Sequence, residues 1–421
     1  MKNEAQLLAT LKRAFHSAYG NSHSSFYRDM YARQGFIPKT DFPKNIEEWR
    51  AIPFTRKEDI VSTPFMQRLF LPYEEIRTVR TSSGTSKRGV TLVPRSRILS
   101  RRYYKRFTDR AFFFYLPHLS PDMSFFDAKI AYVGGDPTNL PASAKLAALM
   151  SVEAIGSSPS LLAVFIPHLI QEMDTRKIKL LEFYGERLSE LQHQLFRDIF
   201  PNALFYHEYS NSETHGQCAL TCDFQAKEKR NHIHPQPDAY YWELIDQETG
   251  EVIDEPEREG EIVLTTLWEH DAFPGLRYRT GDLAQLKAEP CPCGNPVTYE
   301  TLGRASFDRA AIPGGEIRGQ ELERAMQAFS GKVQDDYELH IYDERHENTI
   351  RPTFTFYVTV TDPSVTLEEI ARTVPSELRI SPIRTLVKGI ESGLYGSFIC
   401  APPPEEKFPG RRQTRIVRHA T

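Results

Sequence analysis

The chain has 421 residues, 40% of them hydrophobic, which is ample for a buried core and suggests two or three structural units. Its 52 Lys and Arg against 56 Asp and Glu give a formal charge of −4. A near-balanced chain generates no global field for a nucleic acid. No apolar run approaches the ~20 residues of a membrane span; the longest candidate, Leu161 to Ile170, is interrupted by Pro167 and His168. The N-terminus is amphipathic and lacks an apolar signal core, so a soluble cytoplasmic protein is expected.

In chain order, residues 4 to 35 carry Leu7, Leu8, Leu11 and Phe15, then Phe26, Tyr27 and Met30, at helical spacing. Two helices are predicted, broken near Gly20 and Asn21. A short helix from Ile46 to Trp49 and a turn at Ile52-Pro53 follow. The stretch Thr81-Ser82-Ser83-Gly84-Thr85-Ser86-Lys87-Arg88-Gly89 then sits between two β-type runs, Ile76 to Val79 and Val90 to Val93. Strand, hydroxyl-rich turn, strand makes an anion cradle from backbone N–H groups and hydroxyls. It is not a Walker A loop, whose lysine opens a helix after a fixed glycine spacing.

Residues 96 to 116 are basic and aromatic and read as helical. Helices are also predicted over Ala144 to Met150 and Leu188 to Ile199, and a strand over Gly260 to Leu267. Beyond residue 304 the texture changes. Gly314, Gly315 and Gly319 precede a helix (Gln320 to Phe329), two strands (Tyr337 to Tyr342, Thr353 to Thr361) and a helix (Leu367 to Thr373), a compact α+β unit. Pro402-Pro403-Pro404 and the basic residues Arg411 to Arg415 read as an exposed tail. Of five cysteines, Cys218 and Cys222 form one close pair and Cys291 and Cys293 another, while Cys400 stands apart. Close pairs without a secretion signal point to metal before disulfide.

Four separated segments share one order: the loop at 81–89, Tyr209-Ser210-Asn211-Ser212-Glu213, Tyr278-Arg279-Thr280-Gly281-Asp282, and Leu302-Gly303-Arg304 followed by Asp308. Together they resemble the adenylate-forming superfamily of acyl-CoA synthetases and ligases, and within it the phenylacetate–CoA ligase group. Supporting marks are Phe26-Tyr27-Arg28, Ile52-Pro53-Phe54-Thr55-Arg56-Lys57, Gly156-Ser157-Ser158-Pro159-Ser160-Leu161 and Tyr184-Gly185-Glu186. The Tyr-Arg-Thr-Gly-Asp segment is the most specific. The others gain force from their order.

The resemblance implies an α/β fold: a large N-terminal adenylation domain (1–304) with β-sheets and packed helices, and a small mobile α+β domain (305–421) hinged near Asp308. It implies ATP-dependent conversion of a carboxylic acid to an acyl adenylate, then transfer to coenzyme A. Ser82, Ser83, Gly84, Thr85, Ser86 and Lys87 fall at the phosphate loop, with Gly185 and Glu186 beside the adenine. Tyr209 offers a stacking face, and Ser212 lies beside Glu213, a hard oxygen ligand for magnesium. Asp282 suits the ribose hydroxyls, and Arg304 a ribose or phosphate contact. A protein thiol in place of CoA, with Cys400 as one candidate, and a non-catalytic nucleotide-binding role are the alternatives. Small-molecule acid, ATP and CoA are the partners implied, with no nucleic acid or membrane; a homodimer is compatible.

Some members of the group carry a structural zinc site with a cysteine nine residues past the Glu213 position and a histidine shortly after. Carried over, this gives Cys222, His232, Cys291 and Cys293, with Cys218 or His234 as substitutes. Three positions depart from the pattern. Lys87 stands where a second glycine is usual, and Ser210 replaces a glycine. At the C-terminal lysine position the best match is Gly410-Arg411, an arginine whose planar fork is not equivalent to an ammonium; Lys407 lies three residues before Gly410.

Overall fold

The computed structural model describes residues 4–76, 78–81, 92–95, 111–116, 130–214, 216–269, 271–304, 309–334, 337–381, 384–404 and 416–419. It divides into two units, Met1–Ser100 with Tyr206–Ala305, and Arg101–Phe205 with Ser306–Thr421. One cut thus falls beside the expected boundary at 304/305, while Arg101–Phe205 groups with the C-terminal residues. Among the described residues no helix is long and apolar enough to cross a membrane.

In the first unit, helices Glu4–Tyr19 and Phe26–Arg33 break at Gly20 and Asn21. Leu11, Phe15 and Ala18 on one helix and Phe26, Tyr27, Met30 and Tyr31 on the other are buried with Trp49, Phe70 and Leu276. Asn45 caps the short helix Ile46–Arg50 by accepting from the Glu48 N–H at 2.8 Å. The strands run in the order Tyr240–Ile245, Glu259–Thr266, Tyr278–Leu286, Tyr299–Arg304, His232–Pro235, Gly216–Leu220, Leu204–Asn211, and their neighbours are antiparallel.

A buried ion pair locks the segment Ile52–Lys57 onto this sheet. Arg277, 1% exposed, donates to both carboxylate oxygens of Glu243 at 3.1 Å and to the Ile52 carbonyl at 2.7 Å. Its guanidinium also lies 4.3 Å from the centre of the Phe54 ring. Thr55 then pairs with the strand Tyr278–Leu286: its N–H donates to the Arg277 carbonyl and its own carbonyl accepts from the Arg279 N–H.

In the second unit, Leu180–Phe183, Ala154–Ser157, Ala111–Leu116 and Ile130–Gly134 form a parallel sheet in that order. Helices Leu140–Leu149 and Pro159–Glu172 and the core around Phe114, Ile155, Phe165 and Leu181 belong to the same unit. The strand Ala111–Leu116 corrects the helical reading of its stretch. Its sequence, Ala-Phe-Phe-Phe-Tyr-Leu, is an aromatic run suited to a strand flanked on both sides. The rest of that stretch, 96–110, lies outside the described residues.

The predicted helix at 188–199 starts at Glu190, where Ser189 and Gln192 form a reciprocal capping box. The C-terminal part carries a second sheet, Phe398–Ala401, Thr349–Tyr357, Glu338–His346, Ile416–Arg418, with the helix Leu367–Glu377. Ile416–Arg418, just past the expected tail, is a strand of that sheet, fixed by Arg418 Nη2, which donates to both carboxylate oxygens of Asp343 at 2.8 and 2.9 Å.

Candidate active site

Three of the expected site residues, Tyr209, Asp282 and Arg304, fall on strands of the first unit. Tyr209 sits where the strand Leu204–Asn211 bulges against its neighbour, a device that re-aims a side chain. Its hydroxyl donates to Asp282 Oδ2 at 2.8 Å. Asp282 is nearly buried and follows Gly281, whose φ of +72° is a conformation that suits glycine. The Asp282 N–H donates to Thr280 Oγ1 at 3.1 Å, and that hydroxyl donates to the Ile262 carbonyl. The Gly281 N–H donates to Glu261 Oε1 at 3.1 Å. Each group that shapes this turn is thereby held from the adjacent strand. Arg304 is the register partner of Asp282.

Past Asn211 the chain turns through Ser212–Thr214. The Asn211 side-chain oxygen accepts from the Glu213 N–H at 3.0 Å, and the Thr214 carbonyl accepts from Tyr240 Oη at 2.6 Å. Glu213 is 5% exposed, and Lys57 Nζ lies 3.3 Å from its Oε1. The lysine reaches it because Thr55 is stitched to the sheet. In the sequence Lys57 is marked only by its place at the end of the Ile52-Pro53-Phe54-Thr55-Arg56-Lys57 segment.

Gly185 and Glu186 belong to the second unit. Gly185 has φ +82°, and Glu186 Oε1 accepts from the Ser160 N–H at 3.2 Å and from the Ser160 hydroxyl. Ser160 opens the helix Pro159–Glu172, so the Gly-Ser-Ser-Pro-Ser segment anchors the Tyr-Gly-Glu turn. Ser82, Ser83, Gly84, Thr85, Ser86, Lys87, Lys407, Arg411 and Asp308 lie outside the described residues.

A second cluster in the first unit has metal-site chemistry. Ligand atoms of Cys222, His234, Cys291 and Cys293 all lie within 4.8 Å of one another. Cys222 Sγ and Cys291 Sγ are 3.7 Å apart, close to the ~3.8 Å edge of a tetrahedron with 2.3 Å zinc–sulfur bonds. Cys293 Sγ is 3.5 Å from His234 Nε2, and His234 Nδ1 is 2.7 Å from the Val297 carbonyl. That carbonyl selects the Nδ1–H tautomer and leaves Nε2 as the donor atom, the usual arrangement of a ligating histidine. Gln225 donates to Cys222 Sγ through its backbone and to Cys291 Sγ through its side chain.

The fourth member is His234, the expected substitute, in place of His232. Two residues along a strand are about 6.7 Å apart, so only one of the pair reaches the corner; His232 is half-buried at a position paired with Glu300. Cys218 is not in the group. It lies in the apolar core, where burial pushes its thiol up to about 12.

No protein-family model matches the chain. It is 34% identical over 125 residues to a phenylacetate-coenzyme A ligase of Thermus thermophilus, covering 29% of this chain and 26% of the relative. It is 51% identical over 113 residues to the phenylacetate-coenzyme A ligase of Aromatoleum evansii, covering 27% and 24%. The matched stretches thus span about a quarter of the length of these curated relatives. Among solved structures, a 2-hydroxyisobutyryl-CoA ligase in complex with 2-HIB-AMP and CoA superposes with a TM-score of 0.72 at 18% identity, over 100% of this chain and 90% of that one. The chain therefore has the fold of the adenylate-forming ligases. Its sequence likeness, over about a quarter of its length, runs to the phenylacetate-coenzyme A ligases.

Proposed function

We propose that this chain is an AMP-forming acid–thiol ligase. A carboxylate oxygen of the acid attacks the α-phosphorus of ATP and pyrophosphate leaves. The CoA sulfur then attacks the acyl carbon, and AMP leaves as the thioester forms. The observation that carries the reading is the Tyr209–Asp282 hydrogen bond between two strands of the first unit, with the Glu213–Lys57 pair four residues further along.

In this reading Tyr209 faces the adenine and Asp282 accepts from the ribose hydroxyls. Glu213 supplies an oxygen to a magnesium ion, which when bound neutralises phosphate charge. Lys57 holds Glu213 oriented and adds positive charge beside it. Ser82, Ser83, Gly84, Thr85, Ser86 and Lys87 cradle the β- and γ-phosphates, Ser212 and Arg304 line the nucleotide, and Gly185 and Glu186 border the adenine. Lys407 or Arg411 carries the charge that meets the substrate carboxylate, and the chain comprises an adenylation domain (1–304) and a small C-terminal domain (305–421). Rate enhancement comes from positioning and charge stabilisation.

CoA is favoured over the chain's own cysteine as acceptor. Cys400 is half-buried, and burial pushes its thiol up to about 12, so it stays protonated and weakly nucleophilic at neutral pH. The test is acid-dependent formation of AMP, pyrophosphate and a CoA thioester across aromatic, branched and long-chain acids. Thioester on the protein with none on CoA overturns the acceptor assignment.

The donor set of Cys222, His234, Cys291 and Cys293 suits a closed structural zinc site, pinning the 291–294 turn to the strand His232–Pro235. Such sites are worth about 10–16 kcal/mol in small domains. Elemental analysis of the purified protein is expected to find about one zinc per chain, and a strong chelator is expected to lower its melting temperature. Metal-free protein with an unchanged melt contradicts the assignment.

A further inference from the structure

The Tyr209 side chain is held at both ends. Trp242 packs edge-on against its ring at 5.3 Å and 64°, and Trp242 in turn stacks on Tyr299 at 5.3 Å and 20°. These aromatics come from two further strands, Tyr240–Ile245 and Tyr299–Arg304. At the other end the phenol donates to Asp282 Oδ2 at 2.8 Å. Burial, and then the neighbouring Asp282 charge, push the phenol well above its ordinary range, so it keeps its proton. A carboxylate that accepts a fixed O–H bond at one oxygen cannot spin freely about its Cβ–Cγ bond, so the direction in which it accepts other donors is set.

We propose that the Tyr209 hydroxyl is a positioning group that orients Asp282 for the ribose, so that one residue serves adenine through its ring and ribose through its oxygen. The inference rests on the nucleotide reading above and adds a division of labour to it. A ribose hydroxyl donated to a well-placed carboxylate is worth about 10- to 100-fold in affinity. That increment depends on Asp282 pointing correctly, whereas stacking on the ring does not.

The experiment measures binding of ATP, 2′-deoxy-ATP and 3′-deoxy-ATP to the wild-type protein and to Y209F, alongside acid-dependent turnover and melting temperature. The wild type is expected to penalise at least one deoxy analogue by roughly tenfold or more. In Y209F, ATP affinity falls roughly three- to tenfold and the deoxy penalty shrinks below about threefold. A purely structural role would weaken all three nucleotides by one common factor and keep the penalty intact, which overturns the proposal. Y209L is the second variant: affinity for every nucleotide falls further because the ring is gone, and the penalty still collapses. Wild-type protein that binds no ATP removes the nucleotide reading and this inference with it. Binding with an intact deoxy penalty in both variants removes the inference alone.

Discussion

Replacing Asp282 by Ala is expected to lower acid-dependent pyrophosphate release by at least about 100-fold and to abolish measurable ATP binding. Two ribose hydroxyls donating to one carboxylate are worth about 3–6 kcal/mol together, because hydrogen bonds to charged groups contribute about 1.5–3 kcal/mol each. The substitution also removes the acceptor of the Tyr209 hydroxyl. The turn itself should survive, since it is held by Thr280 on the Ile262 carbonyl and by Gly281 on Glu261. A folded D282A protein with ordinary ATP affinity would place the nucleotide elsewhere.

The second large effect is on stability. Replacing Glu243 by Ala is expected to cost about 3–5 kcal/mol, the range found when one partner of a buried ion pair is removed. Arg277 would be left charged and enclosed, with carbonyls and the Phe54 ring as its remaining partners. Burial raises the Glu243 carboxyl, opposed by Arg277, so the pair survives in a dry place only as a pair. Denaturant unfolding of E243A checks the figure, and a loss below about 1 kcal/mol would contradict it. The same change should loosen Ile52–Lys57, and through Lys57 the Glu213 carboxylate, so activity is expected to fall with stability.

The sequence carried the site's chemistry further than its geometry. Tyr209 and Asp282 were legible because the Tyr-Arg-Thr-Gly-Asp and Tyr-x-x-Ser-Glu segments preserve side-chain type and order. Their mutual hydrogen bond was not, since it depends on strand register and a bulge that no local pattern reports. Lys57 was hidden for a similar reason: it meets Glu213 only once Thr55 has been added to the sheet. The cysteines announced a metal-type cluster by pairing, yet the choice of His234 over His232 is a step of two residues along a strand, which keeps both on one face.

The fold class was legible through the resemblance carried by the ordered segments, and the α+β character of the C-terminal part through the change in texture past residue 304. The aromatic run Ala111–Leu116 misled because an unbroken apolar sequence shows no strand alternation. The strand Ile416–Arg418 was overlooked because three residues pairing over a long separation leave no periodic trace.

The most direct measurement is exchange of labelled pyrophosphate into ATP in the absence of CoA, run against a panel of carboxylic acids. The proposed adenylation predicts exchange that requires an acid, requires magnesium, and vanishes in D282A. Exchange absent for every acid, in zinc-replete folded protein that still binds ATP, would contradict the proposed chemistry.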